Sequence, residues 1–177
     1  LHYQMTSIFY SLQEEQELIV KNIKQLLTDR NIKITTNLLN LVKNHQLVID
    51  NGFLIAYLND SKANIVDSIK EHYDKGIIIW DRSKFIKPDE KYYNMHIDTF
   101  NKSEFYINVV RSSYVPKHTI VDKQSVLNSY PTINECDYPV IKWYDPIMRY
   151  YGGRIGDMVR IERHTVNGIN IYYRICK

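Results

Sequence analysis

Two short apolar runs, Phe53 to Leu58 and Ile77 to Trp80, constrain this chain more than any other feature. Each reads as a short strand covered on both faces, because the apolar residues are continuous rather than alternating. Asn51-Gly52 ahead of the first is a turn signal. Between the runs, Ala63 to Tyr73 has helical spacing, with Ile65, Ile69 and Tyr73 pointing inward, and Gly76 follows its end. Strand, helix and strand in succession predict a parallel crossover unit. Met95 to Phe100 adds a third strand, and Glu104 to Val110 a last short element. Upstream, Ile8, Leu12, Ile19, Ile23 and Leu26 share one helical face, with Thr6 or Ser7 as cap and Glu14, Glu15 and Glu17 in the early turns. A second helix follows, capped by Thr36, with Leu38, Leu39, Leu41 and Val42 inside.

At 177 residues the chain has room for one large domain or two small ones. Hydrophobic residues at 44% and charged residues at 24% are those of a globular protein, which excludes disorder throughout. The net charge of +3 permits a phosphate contact without demanding one. No apolar run approaches the roughly 20 residues of a membrane span, so no membrane partner is expected. Leu1 to Tyr10 lacks the basic region and apolar core of a secretory signal. The chain begins with Leu1 rather than Met, which leaves room for an upstream piece. Cys136 and Cys176 are too few for a disulfide framework or a zinc ribbon. Free thiols in a reducing compartment are expected, with a single bridge as the alternative. The high tyrosine count of 15, beside many Ile, Asn and Lys, matches AT-rich codon usage.

A composition break at Arg111 to Ser113, just before Val115-Pro116, places a domain boundary. It divides the chain into an α/β domain, residues 1–111, and a small α+β domain, residues 112–177. The second is the more legible. Asp145-Pro146, then Ile147 to Tyr151, then Gly152 is a complete short-helix signature. Asp145 can cap the first N–H groups, and Pro146 suits the first helical position, where its missing N–H costs nothing. Gly152 can take the left-handed conformation that ends the helix. Gly156 allows a tight turn into a strand, Met158 to Arg163, with Val159 and Ile161 buried and Arg160 and Glu162 wet. Asn167-Gly168 predicts a two-residue hairpin turn. The return strand then carries Ile169, Ile171, Tyr173 and Ile175 on one face and Asn170, Tyr172 and Arg174 on the other.

This last stretch resembles the assembly domain of the fifth subunit of DNA-directed RNA polymerase, which the eukaryotic nuclear polymerases share and which has an archaeal counterpart without the jaw domain. The family pattern Asp-Pro-x-x-Arg-Tyr-aromatic-Gly, then x-x-x-Gly, then a hairpin, stands here as Asp145, Pro146, Arg149, Tyr150, Tyr151, Gly152 and Gly156. A second signature, Val-Pro-x-His, stands as Val115, Pro116, Lys117 and His118, and Asp122 to Tyr130 sits where the family has a short helix. The match covers about the last 65 residues. It departs at the hairpin tip, where the family continues Arg-Pro-Ser-Glu-Thr and this chain has Arg163 followed by His164, Thr165 and Val166. Residues 1–111 resemble the family's eukaryotic jaw domain, which implies a restriction-endonuclease-like fold of three or more strands with flanking helices. The jaw looks shortened, and with the AT-rich codon usage the chain resembles versions encoded by large cytoplasmic DNA viruses.

The resemblance implies a non-catalytic subunit that works in transcription and needs no cofactor of its own. Its assembly domain would dock on the largest polymerase subunit, beside neighbouring small subunits, through Val115, Pro116, His118, Asp145, Pro146, Arg149, Tyr150, Gly152 and Gly156. Its jaw would line the path of downstream double-stranded DNA. The protein would then be found at the site of transcription: the nucleus, or the infected cytoplasm and the virion for a viral version.

The loop between Asp81 and Tyr93 carries Lys84, Lys87, Pro88 and Lys91, interleaved with Phe85, Tyr92 and Tyr93. Such a loop can meet phosphates with its cations and sugars or bases with its rings, although a solvated loop explains the same letters. The resemblance puts it near downstream DNA, where contact would be weak and non-specific because few phosphates are neutralised.

Pro88-Asp89-Glu90-Lys91 also has the residue types of a restriction-type nuclease site, which makes a free-standing metal-dependent nuclease the alternative. Metal-dependent cleavage needs carboxylates held apart around the ion, and here the acids are adjacent. The six histidines show no metal-ligand spacing, and no motif joins Cys136 to a histidine as a nucleophile pair. His118 reads as a buried hydrogen-bonding residue. Gly152-Gly153-Arg154-Ile155-Gly156 lacks the lysine and hydroxyl of a nucleotide loop and reads as a turn.

Overall fold

In the computed structural model, which describes residues 11–60, 72–82 and 87–177, the chain forms two compact units, 1–107 and 108–177. That division falls four residues before the expected 111/112 break. The fold is mixed α/β, with one four-stranded sheet in each unit.

The first unit starts with α1, Leu12–Asp29. Its cap is Ser11, whose hydroxyl accepts the Glu14 N–H at 3.2 Å, rather than Thr6 or Ser7, which lie outside the described residues. Ile19, Val20, Ile23, Leu26 and Leu27 form the buried face, as 3.6-residue spacing requires. Leu12 fits that spacing but is 70% exposed, because it precedes the part of the helix that packs. Ile8 lies outside the described residues. Helix α2, Leu38–Lys43, is capped by Asn37, whose side-chain oxygen accepts from Leu39 and Asn40. Thr36, the expected cap, is used elsewhere. Thr35 and Thr36 both donate, from backbone and hydroxyl, to one oxygen of Asp50 at 2.6–3.1 Å. Those bonds, led by the Thr35 N–H, hold the Asp50 carboxyl below its ordinary pKa.

The sheet opens with a strand that has no clear mark in the sequence, β1, Leu47–Asp50. It pairs antiparallel with β2, Phe53–Leu58, across Asn51-Gly52. Both turn residues have positive φ, 52° and 74°, matching the right-handed strand twist. Strands β3, Lys75–Trp80, and β4, Ile97–Asn101, follow in parallel, giving the order β1-β2-β3-β4. Gly76 sits inside β3, opposite Leu54, and not at a helix end. A Cβ there would stand 2.5 Å from the Leu54 Cβ, so only glycine fits. The helix expected over Ala63 to Tyr73 falls almost wholly in residues 61–71, outside the described ones. Ahead of β4, part of the expected polar loop is helix α3, Glu90–Asn94. Leu54, Ala56, Leu58, Ile78, Trp80 and Ile97 make one core cluster. The last expected element is two 3-10 turns, Lys102–Phe105 and Val109–Arg111, the second belonging to the other unit.

The second unit has β5, Lys117–Val121, then α4, Lys123–Ser129, then β6, Val140–Ile141. Helix α5, Pro146–Tyr151, leads into the hairpin of β7, Met158–Thr165, and β8, Gly168–Cys176. The sheet order is β5-β7-β8-β6. The hairpin turn is Val166-Asn167, one residue before the expected pair. Thr165 pairs with Gly168, so glycine takes the last turn position at φ 122°. One face of the sheet packs Val126, Tyr138, Met158 and Ile175; the other packs Ile141, Met148, Val159, Ile161 and Cys176. Of the expected apolar face of β8 only Ile175 is buried, and Ile169 and Ile171 reach solvent beyond the core. Both cysteines are free, Cys136 exposed and Cys176 buried. Burial raises the Cys176 thiol to about 11. Among the described residues no helix is long and apolar enough to cross a membrane.

Candidate docking and nucleic-acid surfaces

Helix α5 holds the longer motif in place through its ends. Asp145 accepts the Ile147 N–H at 2.8 Å, and Pro146 occupies the first helical position. Gly152 closes the helix in the left-handed region, φ 71°, and the Gly153 N–H returns to the Met148 carbonyl at 2.9 Å. Gly153, which is no part of the motif, is the tighter position: a Cβ there would meet the Met148 Cε at 2.1 Å. Gly156, φ 94°, turns the chain into β7, and its N–H donates to the Cys176 carbonyl at 2.9 Å.

The structure gives the remaining motif residues different tasks. Arg149 is buried, and its Nε donates to the Tyr144 carbonyl at 3.1 Å, so it braces the segment before α5. Tyr150 is half-buried and accepts a hydrogen bond from Asn108 at 3.4 Å. Val115 and Pro116 lead into β5, half-buried. His118, half-buried on β5, donates from Nδ1 to the Pro116 carbonyl at 2.7 Å, since a carbonyl can only accept. Exposed apolar side chains of this unit near the motif residues include Tyr114, Ile120, Tyr144 and Ile155. No spacing rule marks them.

In the first unit, Lys84 lies outside the described residues. Pro88 is half-buried, and Lys87 and Lys91 are exposed. The adjacent acids are not gathered for metal chemistry. Asp89 caps α3, accepting the Lys91 N–H at 2.8 Å, and Glu90 is exposed on the first turn. Among the described residues no three His, Cys, Asp or Glu side chains group around a common point. Lys87 instead borders a cleft of about 160 Å³ with Trp80, Arg82 and Tyr92. The Arg82 guanidinium lies 4.2 Å over the Trp80 ring and pairs with Asp60. Sequence reasoning misses Arg82 because one arginine after an apolar run carries no motif.

A second group at the carboxyl ends of the parallel strands is also invisible in the sequence. Asp81 directly follows β3 and Lys102 directly follows β4. Lys102 donates to Asp81 at 2.8 Å, His45 bonds the other Asp81 oxygen at 2.8 Å, and Lys102 lies 3.3 Å from Glu15. The Tyr106 hydroxyl donates to Glu15, and the His45 ring leans on Tyr57 at 5.3 Å. Burial raises the Asp81 carboxyl, but the bonds from Lys102 and His45 outweigh it and its pKa ends below the ordinary value. Burial lowers Lys102, and its bond to Asp81 reverses that, so its pKa is raised. Burial, then the bond to Glu15, pushes Tyr106 up to about 12. The residues come from positions 15, 45, 57, 81, 102 and 106, and only the fold assembles them.

The sequence profile of the family "RNA polymerase Rpb5, C-terminal domain" matches residues 107–176. The chain is 34% identical over 84 residues to "DNA-directed RNA polymerases I, II, and III subunit rpabc1" of Dictyostelium discoideum, covering 45% of this chain and 42% of that protein. It is 32% identical over 79 residues to "DNA-directed RNA polymerase subunit 5-like protein 1" of Arabidopsis thaliana, covering 43% and 37%. The chain therefore spans less than half the length of these two relatives. With "DNA-directed RNA polymerase subunit Rpo5" of the archaeon Pyrococcus abyssi, identity is 35% over 78 residues, 42% of this chain but 92% of that protein. Nearly the whole archaeal protein is thus matched by a segment of this chain, and the chain belongs to the family of the fifth subunit of DNA-directed RNA polymerase.

Proposed function

We propose that this chain is a non-catalytic subunit of a multisubunit DNA-directed RNA polymerase. Residues 108–177 are its assembly domain and dock on the largest subunit. Residues 1–107 are a shortened jaw beside the path of downstream DNA. The observation that carries this reading is the match to nearly all of the archaeal subunit. The capped and glycine-closed helix α5 supports it, since cap and glycine fix both ends of the motif helix.

Division of labour follows from burial. Arg149 and Gly153 shape the docking segment from inside, while Ile120, Tyr144 and Ile155 offer apolar surface to a partner. In the jaw, Lys87 and Lys91 supply cations, with Trp80 and Tyr92 beside them, while Arg82 is paired with Asp60 and Asp89 also lines the cleft. Few cations imply weak, salt-sensitive phosphate contact. The shortened jaw and the tyrosine-rich composition support a version encoded by a large DNA virus, working in infected cytoplasm and carried in the virion.

Purification of the tagged full chain from its native source tests the subunit reading. Co-purification of the two large polymerase subunits in amounts equal to the chain is expected. Recovery of the chain alone, or magnesium-dependent DNA cleavage by it that Asp89→Ala abolishes, would overturn the reading.

A further inference from the structure

The hairpin leaves a strand edge unpaired. Strand β8 runs from Gly168 to Cys176, but β6 pairs with it only through Val140 and Ile141, opposite Ile175 and Cys176. The Ile175 and Lys177 N–H groups point to that side, bonding the carbonyls of Pro139 and Ile141 at 2.9 Å. The Cys176 N–H points the other way, to Asp157. Alternation along the strand therefore turns the N–H and C=O of Ile169, Ile171 and Tyr173 outward, where no strand of the described residues meets them.

This edge has none of the usual protection. Exposed edges are commonly blunted by lysine, proline, a bulge or an inward charge. Gly168-Ile169-Asn170-Ile171-Tyr172-Tyr173 has no charge and no proline, and the β7–β8 register runs without a break. Ile169 is 55% exposed and Ile171 47%. On the opposite face Tyr172 stands between Arg163, 5.9 Å over its ring, and Arg174. These three, with Pro139 and Ile161, border a cleft of about 400 Å³ along the edge. Neither guanidinium pairs with a carboxylate among the described residues.

We propose that the outer edge of β8, over Gly168–Tyr173, accepts an added strand: an extended segment of another polypeptide in which apolar and acidic residues alternate. The outward backbone groups of Ile169, Ile171 and Tyr173 supply the ladder bonds. Because strand side chains alternate, apolar residues of the incoming strand pack on the Ile169–Ile171 face and acidic ones meet Arg163 and Arg174 on the other. A second copy of this edge is a poor occupant, since it would bring the same two arginines and no acid. The inference goes beyond the polymerase reading and stands or falls separately from it.

The test uses the full chain and two end-blocked fluorescent hexapeptides, Val-Glu-Val-Glu-Val-Glu and Val-Lys-Val-Lys-Val-Lys, followed by anisotropy and amide hydrogen exchange. The acidic peptide should bind saturably, and the lysine peptide about tenfold more weakly or not at all. Binding should slow exchange at Ile169, Ile171 and Tyr173, and not at Asn170 and Tyr172, whose N–H groups already bond β7. Ile171→Pro removes one outward donor without touching the β7–β8 bonds, and should weaken binding about tenfold. The double variant Arg163→Glu, Arg174→Glu keeps every backbone group and should invert the preference between peptides. Absence of saturable binding, protection elsewhere on the chain, an unchanged preference in the arginine variant, or self-association through this edge would overturn the proposal.

Discussion

The two units hold their polar groups by different means. The first buries charge. Arg30 meets Asp98 at 2.9 Å with both side chains almost fully enclosed, and Asp81 and Lys102 pair half-buried at the strand ends. The second also buries a charge, Arg149 on the Tyr144 carbonyl, but relies more on backbone geometry: a capped helix start, a left-handed glycine and a two-residue turn. The contrast follows from sheet type. The first sheet, parallel in two of its three pairings, is covered on both faces, so a charge on its edge strand β4 such as Asp98 is enclosed with its partner. The second sheet, antiparallel except for the short β6–β8 pairing, leaves one end of its hairpin in water and needs few such pairs. The first unit should therefore be fragile to loss of a charge, and the second to loss of a backbone conformation.

The largest expected effect breaks the first half of that contrast. Asp98→Ala leaves Arg30 buried without its ion pair and should destabilise the first unit by about 3–5 kcal/mol. The chain's two tryptophans report on the units separately, Trp80 in the first and Trp143 in the second. Urea unfolding in single-tryptophan backgrounds should show the loss at Trp80 and leave the Trp143 transition in place. Equal shifts of both would mean that the units do not unfold as separate bodies.

The Asp81–Lys102 pair gives the next effect. Lys102→Met removes a charged donor from Asp81 and should cost about 1–3 kcal/mol at neutral pH. The sign of the pH dependence follows from linkage. Asp81 has a lowered folded pKa, so its contribution is present above the unfolded value of 3.8 and is lost as pH falls through the folded one. Lys102 has a raised pKa, so its contribution is present below 10.5 and is lost as pH rises through the folded value. Tyr106, raised from 10.0 to about 12, loses its contribution over that same alkaline range. Trp80-detected melts should show the wild-type advantage over Lys102→Met shrinking at both extremes.

The second half of the contrast is tested at α5. Gly152→Val forces a β-branched residue to φ 71° and should cost about 1–2 kcal/mol, read at Trp143. Asp145→Ala removes the cap and should cost about 1 kcal/mol. Neither should move the Trp80 transition.

The same contrast explains what can be read from the letters. The α5 motif is legible because a cap, an N1 proline and a left-handed glycine are local devices, each within a few residues of its partner. The turn at Val166-Asn167 falls one residue from its expected place because a turn with glycine last and a primed turn with glycine third share the same Asn-Gly letters. Thr36 looks like a cap because a hydroxyl before an apolar run usually is one, but Asp50, fourteen residues on, takes its bonds. The His45–Asp81–Lys102 group has no local trace, since tertiary pairing alone brings those side chains together. Leu12 shows the limit of periodicity: spacing identifies a helical face but not how far its neighbour extends.

The smallest expected effect concerns two lysines of the first unit. Lys87→Ala with Lys91→Ala should leave assembly intact and reduce the salt slope of DNA retention by about one unit per lost phosphate contact. An unchanged slope would assign both lysines to solvent.

On the proposed function, the second unit docks on the polymerase while the first approaches DNA. Site-specific photo-crosslinking of the full chain in assembled polymerase tests it most directly, with the reactive group at position 155 in one variant and 87 in another. Ile155 is exposed beside the glycine turn, and Lys87 borders the Trp80–Arg82 cleft. Position 155 should crosslink to the largest subunit and position 87 to downstream DNA. Crosslinks from 155 to DNA and from 87 to the largest subunit would contradict it.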